Sequence, residues 1–183
     1  MHHGALHFRT WGIDFMVVHF SPFSYKKRGE EAKIILSKLA EVRKQHDRFI
    51  VLGDFNAVSP FDAQFYKDNE DMMKSMIESE EKHKHVRNLL MGQLEYGAIS
   101  AYLNFPLIDV VQKHTIEFEE RLSCPTQVFE EVINRGRHIN SKRIDYRMVS
   151  PSMAEYFTYA RVLNGEPTFY LSDHYPVMAE FKF

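Results

Sequence analysis

Residues 50–60 read IVLGDFNAVSP, in which Val51 and Leu52 suit a buried strand and Asp54 and Asn56 stand at its C-terminal mouth. At period-two spacing the two side chains are expected to point the same way. A carboxylate and a carboxamide so placed can hold a metal ion and a phosphate oxygen. Asp and Asn also hydrogen-bond nearby backbone, so this stretch alone reads first as a strand end closed by an Asx-type turn. Other polar groups recur at the ends of apolar runs: His19 closing IDFMVVHF, Asp145 within RIDY, and Asp173 with His174 within LSDHYP. Singly each has an ordinary role. His19 could be a satisfied core histidine, Asp145 the partner of Arg143 or Arg147, and SDH a turn or helix cap.

The elements that would carry these groups follow from hydrophobic periodicity. ALHFRTW and IDFMVVHF, separated by Gly12, predict a hairpin or two adjacent strands. In YKKRGEEAKIILSKLAEVRKQHD, the residues Ala32, Ile35, Leu39 and Val42 fall on one helical face, predicting an amphipathic helix over a sheet. RFIVLGD then completes a strand–helix–strand order typical of layered α/β architecture. Residues 61–104 are rich in Met, Glu and Lys and predict one or two helices; His83 and His85 in their charged run are spaced too closely to share a face. PLIDVVQKH reads as a short strand or a buried helical turn, and VFEEVINRGRHINSK as a weak helical start ending in turn residues. Strands are predicted again in KRIDYRMVS, YARVLN and YPVMAEFKF, the last with Val177, Ala179, Phe181 and Phe183 on one face.

GDFN, then IDY, then SDHYPV resembles the endonuclease/exonuclease/phosphatase superfamily, and VVHFSP resembles that family's histidine-bearing strand end. The resemblance is firm at these motifs and weak through residues 61–140. It implies a deoxyribonuclease I-like α/β sandwich of two β-sheets flanked by helices, as a single domain over residues 1–183 with a helical insert at about 61–140. It further implies a phosphoesterase dependent on Mg²⁺ or Mn²⁺. By residue, Asp54 resembles the acid that orients water near the metal, and Asn56 the amide that binds the scissile phosphate. His174 resembles the phosphate-contacting histidine, Asp145 the acid that orients it, Asp173 a carboxylate completing the metal site with Asp54, and His19 a second histidine found in nuclease members.

The chemistry has its own logic. A phosphodiester repels hydroxide, so hydrolysis needs cations around the non-bridging oxygens and a water in line with the leaving group. Oxygen ligands suit Mg²⁺ or Mn²⁺, and Mg²⁺ is usually held by one or two carboxylates with waters. A histidine paired with an aspartate gains a raised pKa and can meet a phosphate as imidazolium.

In the family an early strand bears an asparagine and a later acidic motif supplies a glutamate that is a principal metal ligand, and neither has a counterpart here. The sequence is therefore expected to represent an N-terminally incomplete domain. Alternatives are a substitute acid from Glu117, Glu119 or Glu120, or a partner chain. Half a sandwich would leave apolar strand edges, so self-association is expected. A silent relative that binds a phosphorylated ligand or partner is the alternative to an enzyme.

Bulk properties fit this reading. With 183 residues, 44% of them apolar, the chain can bury a sizeable core. A formal charge of −2 gives no global field to draw in nucleic acid, which leaves phosphate esters generally, nucleic acid among them, as substrate. Arg135, Arg137, His138, Lys142 and Arg143 form a local basic cluster, read as a solvated loop or as a contact to substrate phosphate. Cys124, the single cysteine, cannot form an internal disulfide and is expected to pack as a small hydrophobe. The N-terminal residues have no signal-peptide pattern, and no apolar run is long enough to span a bilayer. As written the chain reads as cytoplasmic, with an export signal conceivable in a missing N-terminus.

Overall fold

The structure, a computed structural model, describes residues 1–129 and 141–183. Strands β1 (Gly4–Thr10) and β2 (Ile13–His19) pair as an antiparallel hairpin. Its turn residues, Trp11 and Gly12, both have positive φ (51° and 74°), as the tight turn of a twisted hairpin requires. Helix α1 (Tyr25–Arg43) crosses over to β3 (Phe49–Asp54), which lies parallel to β2. This is the strand–helix–strand unit expected from the sequence. Ala32, Ile35, Leu39 and Val42 are all buried, and the same stripe continues one turn earlier with Arg28 and Glu31.

After β3 come α2 (Ala63–Asp68), α3 (Glu70–Lys82) and a small hairpin of β4 (Leu89–Leu90) and β5 (Gln93–Leu94). The composition of residues 61–104 predicts one or two helices, which α2 and α3 match; it predicts neither the third helix that follows the hairpin nor the hairpin itself. Its turn is Met91-Gly92, again with positive φ at both residues (53° and 75°), and the pairing spans only two residues per strand, too short for a β pattern to register. Helix α4 (Gly97–Asn104) follows. PLIDVVQKH then supplies both of the alternatives read from it, as β6 (Ile108–Asp109) and α5 (Val110–His114). β7 (Asp145–Val149), α6 (Pro151–Ala154), β8 (Phe157–Val162) and β9 (Val177–Phe181) complete the chain. Arg135, Arg137 and His138, with the helix start read around them, lie outside the described residues.

The main sheet has the order β1-β2-β3-β7-β6, and β8 pairs with β9 in a second sheet. Alternate residues of the central strands feed two cores. Met16, Val18, Phe49, Val51, Tyr146 and Met148 pack under α1 and α4. On the opposite face Ile13, Phe15, Ile50, Leu52 and Val149 pack with α5, α6 and the β8–β9 sheet. Val177, Ala179 and Phe181 of β9 face this second core as the alternation predicts. The result is two sheets flanked by helices. No helix of the described residues is long and apolar enough to cross a membrane.

One glycine is dictated by this packing. Gly53 has φ +129°, and a Cβ there would sit 2.0 Å from the carbonyl oxygen of Val18 on the neighbouring strand. Only glycine permits that approach immediately before Asp54.

Candidate active site

The site is assembled by strand register. Parallel pairing sets His19 opposite Asp54, and antiparallel pairing sets Asp54 opposite Asp145, so three polar residues line up across the ends of β2, β3 and β7. His174 arrives from the segment before β9, and its Nδ1 lies 2.9 Å from Oδ2 of Asp145. The direct partner of Asp145 is thereby His174, while Arg143 pairs with Asp62 and Asp109 and Arg147 donates to Val177 O, its charge still felt by Asp145. That segment is pinned by the SCPT stretch: Thr126 N donates to Asp173 O (3.1 Å) and Tyr175 N to Ser123 O (2.8 Å). The buried Ser123 hydroxyl in turn accepts from Ile144 N and Asp145 N at 3.1 and 3.2 Å. Ser123 and Thr126 thus position both members of the Asp–His pair, a role that no local pattern in the sequence announces.

Asp54 and Asn56 do meet, by a different route from simple strand alternation. The strand ends at Asp54, and Asn56 takes a left-handed conformation (φ 46°) that asparagine tolerates. Its backbone N–H donates to Asp54 Oδ1 (2.7 Å), while Nδ2 donates to Asp54 Oδ2 (2.9 Å) and to Phe20 O (3.0 Å). The turn reading and the site reading of GDFN therefore coexist, and in this state the amide fixes the Asp54 carboxylate.

Burial, and then the neighbouring Asp145 carboxylate, push the Asp54 carboxyl up to about 6. The hydrogen bond to Asp145, then one to the Cys124 sulfur, push the His174 imidazole up to about 11. Cys124 is consequently more than a packing residue, because its thiol touches the same imidazole. His19 is exposed instead of core: its Nε2 is 3.5 Å from Asp54 Oδ2, and its ring stacks on His3 at 4.0 Å.

Ligand atoms of Asp54, Asp145 and His174 lie within 4.8 Å of one another, the one such cluster of acids, histidines or cysteines among the described residues. Asp173 does not join it. Its side chain is exposed and accepts from Ser172 Oγ at 3.0 Å, although its charge still contributes to raising the Asp54 pKa. Asp145 takes the place expected for Asp173 because the β3–β7 register sets it directly opposite Asp54. Glu117, Glu119 and Glu120 are also outside the cluster. Glu119–Arg121 form a 3-10 turn whose Glu119 carbonyl accepts from Asn164 beyond β8, and Glu120 lines a separate cleft with Tyr159 and Arg161.

The half-buried carboxylates of Asp54 and Asp145, set opposite each other by register, are oxygen donors of the kind a divalent ion takes, and such an ion would relieve the repulsion that raises Asp54. The oxygen donors suit Mg²⁺ or Mn²⁺; His174, held by Asp145 and carrying its proton, does not need to be a ligand.

No protein-family model matches the sequence, and no curated protein resembles it. Solved structures do. The 3′-5′ exonuclease NExo from Neisseria meningitidis superposes with a TM-score of 0.66 at 20% identity, covering 98% of this chain and 65% of that one. An AP endonuclease from Archaeoglobus fulgidus gives 0.60 at 16% identity over the same shares, 98% and 65%. A mannosyl-6-phosphatase from Bacteroides thetaiotaomicron gives 0.55 at 18% identity, over 93% and 51%. The chain shares the fold of these structures, the deoxyribonuclease I-like arrangement that the resemblance implied. It spans just under two-thirds of the length of the exonuclease and the endonuclease, at 65%.

Proposed function

We propose that this chain carries the phosphate-hydrolysing site of a metal-dependent phosphoesterase, on one domain with its helical insert. The observation that supports it most is the Asp145–His174 pair, 2.9 Å apart, set beside a half-buried Asp54. Structural neighbours range from an exonuclease, seen in one case with a product DNA hairpin, to a mannosyl-6-phosphatase, so the scissile bond is a phosphate ester in each class. In this reading His174 faces a non-bridging or leaving oxygen as imidazolium, and Asp145 holds its orientation and its proton. Asp54, ionised above about pH 6, orients the attacking water. Asn56 steadies that carboxylate and offers its amide to the phosphate once substrate displaces one of its present hydrogen bonds. His19 stands at the rim, its Nε2 3.5 Å from Asp54 Oδ2, where its ring can meet a substrate oxygen. Bound Mg²⁺ or Mn²⁺, held by Asp54 with Asp145 or Asp173, would polarise the phosphoryl oxygen and lower the pKa of a water.

The test is hydrolysis of bis-p-nitrophenyl phosphate with Mg²⁺, Mn²⁺ or chelator, alongside thermal unfolding. Turnover that chelator abolishes is expected. Because Asp54 has a raised folded pKa, its ionised form is a burden on the metal-free fold: the stability it contributes is present below about pH 3.9 and lost as pH rises through about 6. A cation that binds the ionised form returns that stability, so Mn²⁺ should raise Tm at pH 7.5 and not at pH 5. A folded protein showing neither turnover nor metal-dependent stabilisation would instead be the silent relative, binding a phosphorylated ligand without cleaving it.

We also propose self-association of the chain. Trp11 is 88% exposed at the hairpin tip, and Leu6 and Phe8 on edge strand β1 are 60% and 40% exposed. A cleft of about 410 Å³ beside them is lined by Phe15, Leu52, Val177 and Phe181. Light scattering is expected to give a mass above 21.6 kDa that falls toward the monomer in Trp11→Glu. A monomer at all concentrations would refute this.

A further inference from the structure

Three imidazoles from two stretches of chain meet at the rim of the cleft. His3 lies flat on His19, with ring centres 4.0 Å apart and planes 16° apart, and His2 stands edge-on to His3 at 4.4 Å. The β1–β2 register accounts for the meeting: Gly4 pairs with His19, which sets the two residues before Gly4 beside the end of β2. Their backbone is held as well. His2 N donates to Oε1 of the buried Glu31 on α1, and the His2 ring packs edge-on against Phe23 at 5.3 Å. Among the described residues no ring nitrogen of His2 or His3 makes a hydrogen bond or an ion pair, and His19 Nε2 stands 3.5 Å from Asp54 Oδ2.

Two carboxylates flank the group, Glu31 behind His2 and Asp54 beside His19, so the local field favours a cation. Imidazole nitrogen suits Zn²⁺, Ni²⁺ or Cu²⁺, whereas the oxygen donors of Asp54 and Asp145 suit Mg²⁺ or Mn²⁺. With Zn–N distances of about 2.0–2.1 Å, two imidazoles on one tetrahedral ion have ring centres roughly 5 Å apart. The observed 4.0 and 4.4 Å are about 1 Å short of that. In the present rotamers the three sets of nitrogens do not converge, since His3 lies nearly parallel to His19. Turning the exposed rings edge-on brings them together, and exposed side chains make such turns in picoseconds to nanoseconds.

We propose that His2, His3 and His19 form a second metal site, which takes Zn²⁺ at the mouth of the cleft, apart from the oxygen donors of Asp54 and Asp145. An ion there draws His19 off Asp54 and stands in the path of substrate, so it inhibits turnover. The inhibition rests on the phosphoesterase reading; the metal site itself does not.

Calorimetric titration of untagged protein with zinc chloride, at pH 7.5 in excess Mg²⁺, tests the site without turnover. Zinc is expected to bind wild type and Asp145→Asn alike, and each of His2→Gln, His3→Gln and His19→Gln more weakly by about tenfold or more. His83 and His85 are the control, two other exposed imidazoles with ring centres 6.0 Å apart, and their double replacement by Gln should leave zinc binding as in wild type. Unchanged binding in any of the three single variants, or a loss in Asp145→Asn or in the double variant, overturns the proposal. His3 is exposed, so the zinc-free Tm of His3→Gln should equal that of wild type, which separates lost binding from lost fold. Zinc at the saturating concentration should then lower Mn²⁺-dependent hydrolysis of bis-p-nitrophenyl phosphate by about tenfold or more in wild type and leave His3→Gln, with its unchanged zinc-free rate, unaffected. Full activity of zinc-saturated wild type would overturn the inhibitory role. Zinc binding as expected with no turnover of any ester would leave the metal site standing and remove the phosphoesterase reading.

Discussion

His174→Ala is expected to lower kcat/KM for bis-p-nitrophenyl phosphate by roughly 10²–10⁴ at saturating Mn²⁺, the usual range for removing a positioned acid or charge stabiliser. Asp145→Asn separates orientation from charge. With Asp145 present the imidazole is held up to about 11, so it carries its proton throughout the neutral range. The sign follows: a histidine with a raised folded pKa lends stability that is fully present below about pH 6.5 and is lost as pH rises through about 11. Without the carboxylate the folded pKa falls back toward the free value. Activity of Asp145→Asn should therefore drop as pH rises through about 7, whereas wild type should hold its activity across that range. Parallel pH profiles for the two proteins would show that Asp145 does not set the charge of His174.

Arg143→Ala is expected to cost about 3–5 kcal/mol, enough to consume much of the stability of an ordinary domain. The sequence placed Arg143 in a basic cluster that could meet substrate, but the structure corrects this. Its side chain is 0% exposed, with Nε 2.7 Å from Asp62 Oδ2 and an Nη 2.6 Å from Asp109 Oδ2, and its guanidinium lies 4.7 Å over the Tyr146 ring. Arg121 adds a second cation on Asp62 at 3.0 Å. Removing Arg143 leaves two buried carboxylates short of a partner, and Arg121 can compensate only one. Thermal unfolding should show Tm lower by roughly 10 °C or more. A combined Arg143→Met, Asp62→Leu, Asp109→Leu replacement should recover part of the loss, because an apolar core of similar volume often matches a buried ionic one. A loss below about 1 kcal/mol for the single change would mean that this network is wetter than its geometry suggests.

The same residues show what could be read in advance. Asp54, Asn56, Asp145 and His174 were legible because each stands next to an apolar run, Asp54 and Asn56 after one and Asp145 and His174 before one, and strand ends are where a sheet presents chemistry. The helix over residues 25–43 was legible from four apolar positions on one face. Arg28 sits one turn further along that same face, so the period contained it; its charge argued for solvent, and only the fold shows the Ser21 carbonyl and Asn88 amide that let it be buried. Arg143, two residues before Asp145, was misread for the same reason: composition registers the charge, while its partners Asp62 and Asp109 come from distant segments that tertiary packing alone brings together. Ser123, Cys124 and Thr126 act through backbone bonds to segments that the sequence does not bring near them.

Gly53 has a consequence that concerns alignments the chain does not adopt. Sliding β3 by one residue against β2 and β7 would send Asp54 to the far side of the sheet and leave His19 and Asp145 facing a side chain from the core. The central strands are apolar on both faces, so hydrophobicity alone discriminates weakly between such registers. A close approach by the Val18 carbonyl that only a residue without Cβ can accept is a sharper criterion, met at one position along β3. The glycine before the acid thus works as a locating pin during strand pairing, admitting the one registration in which the reactive groups converge.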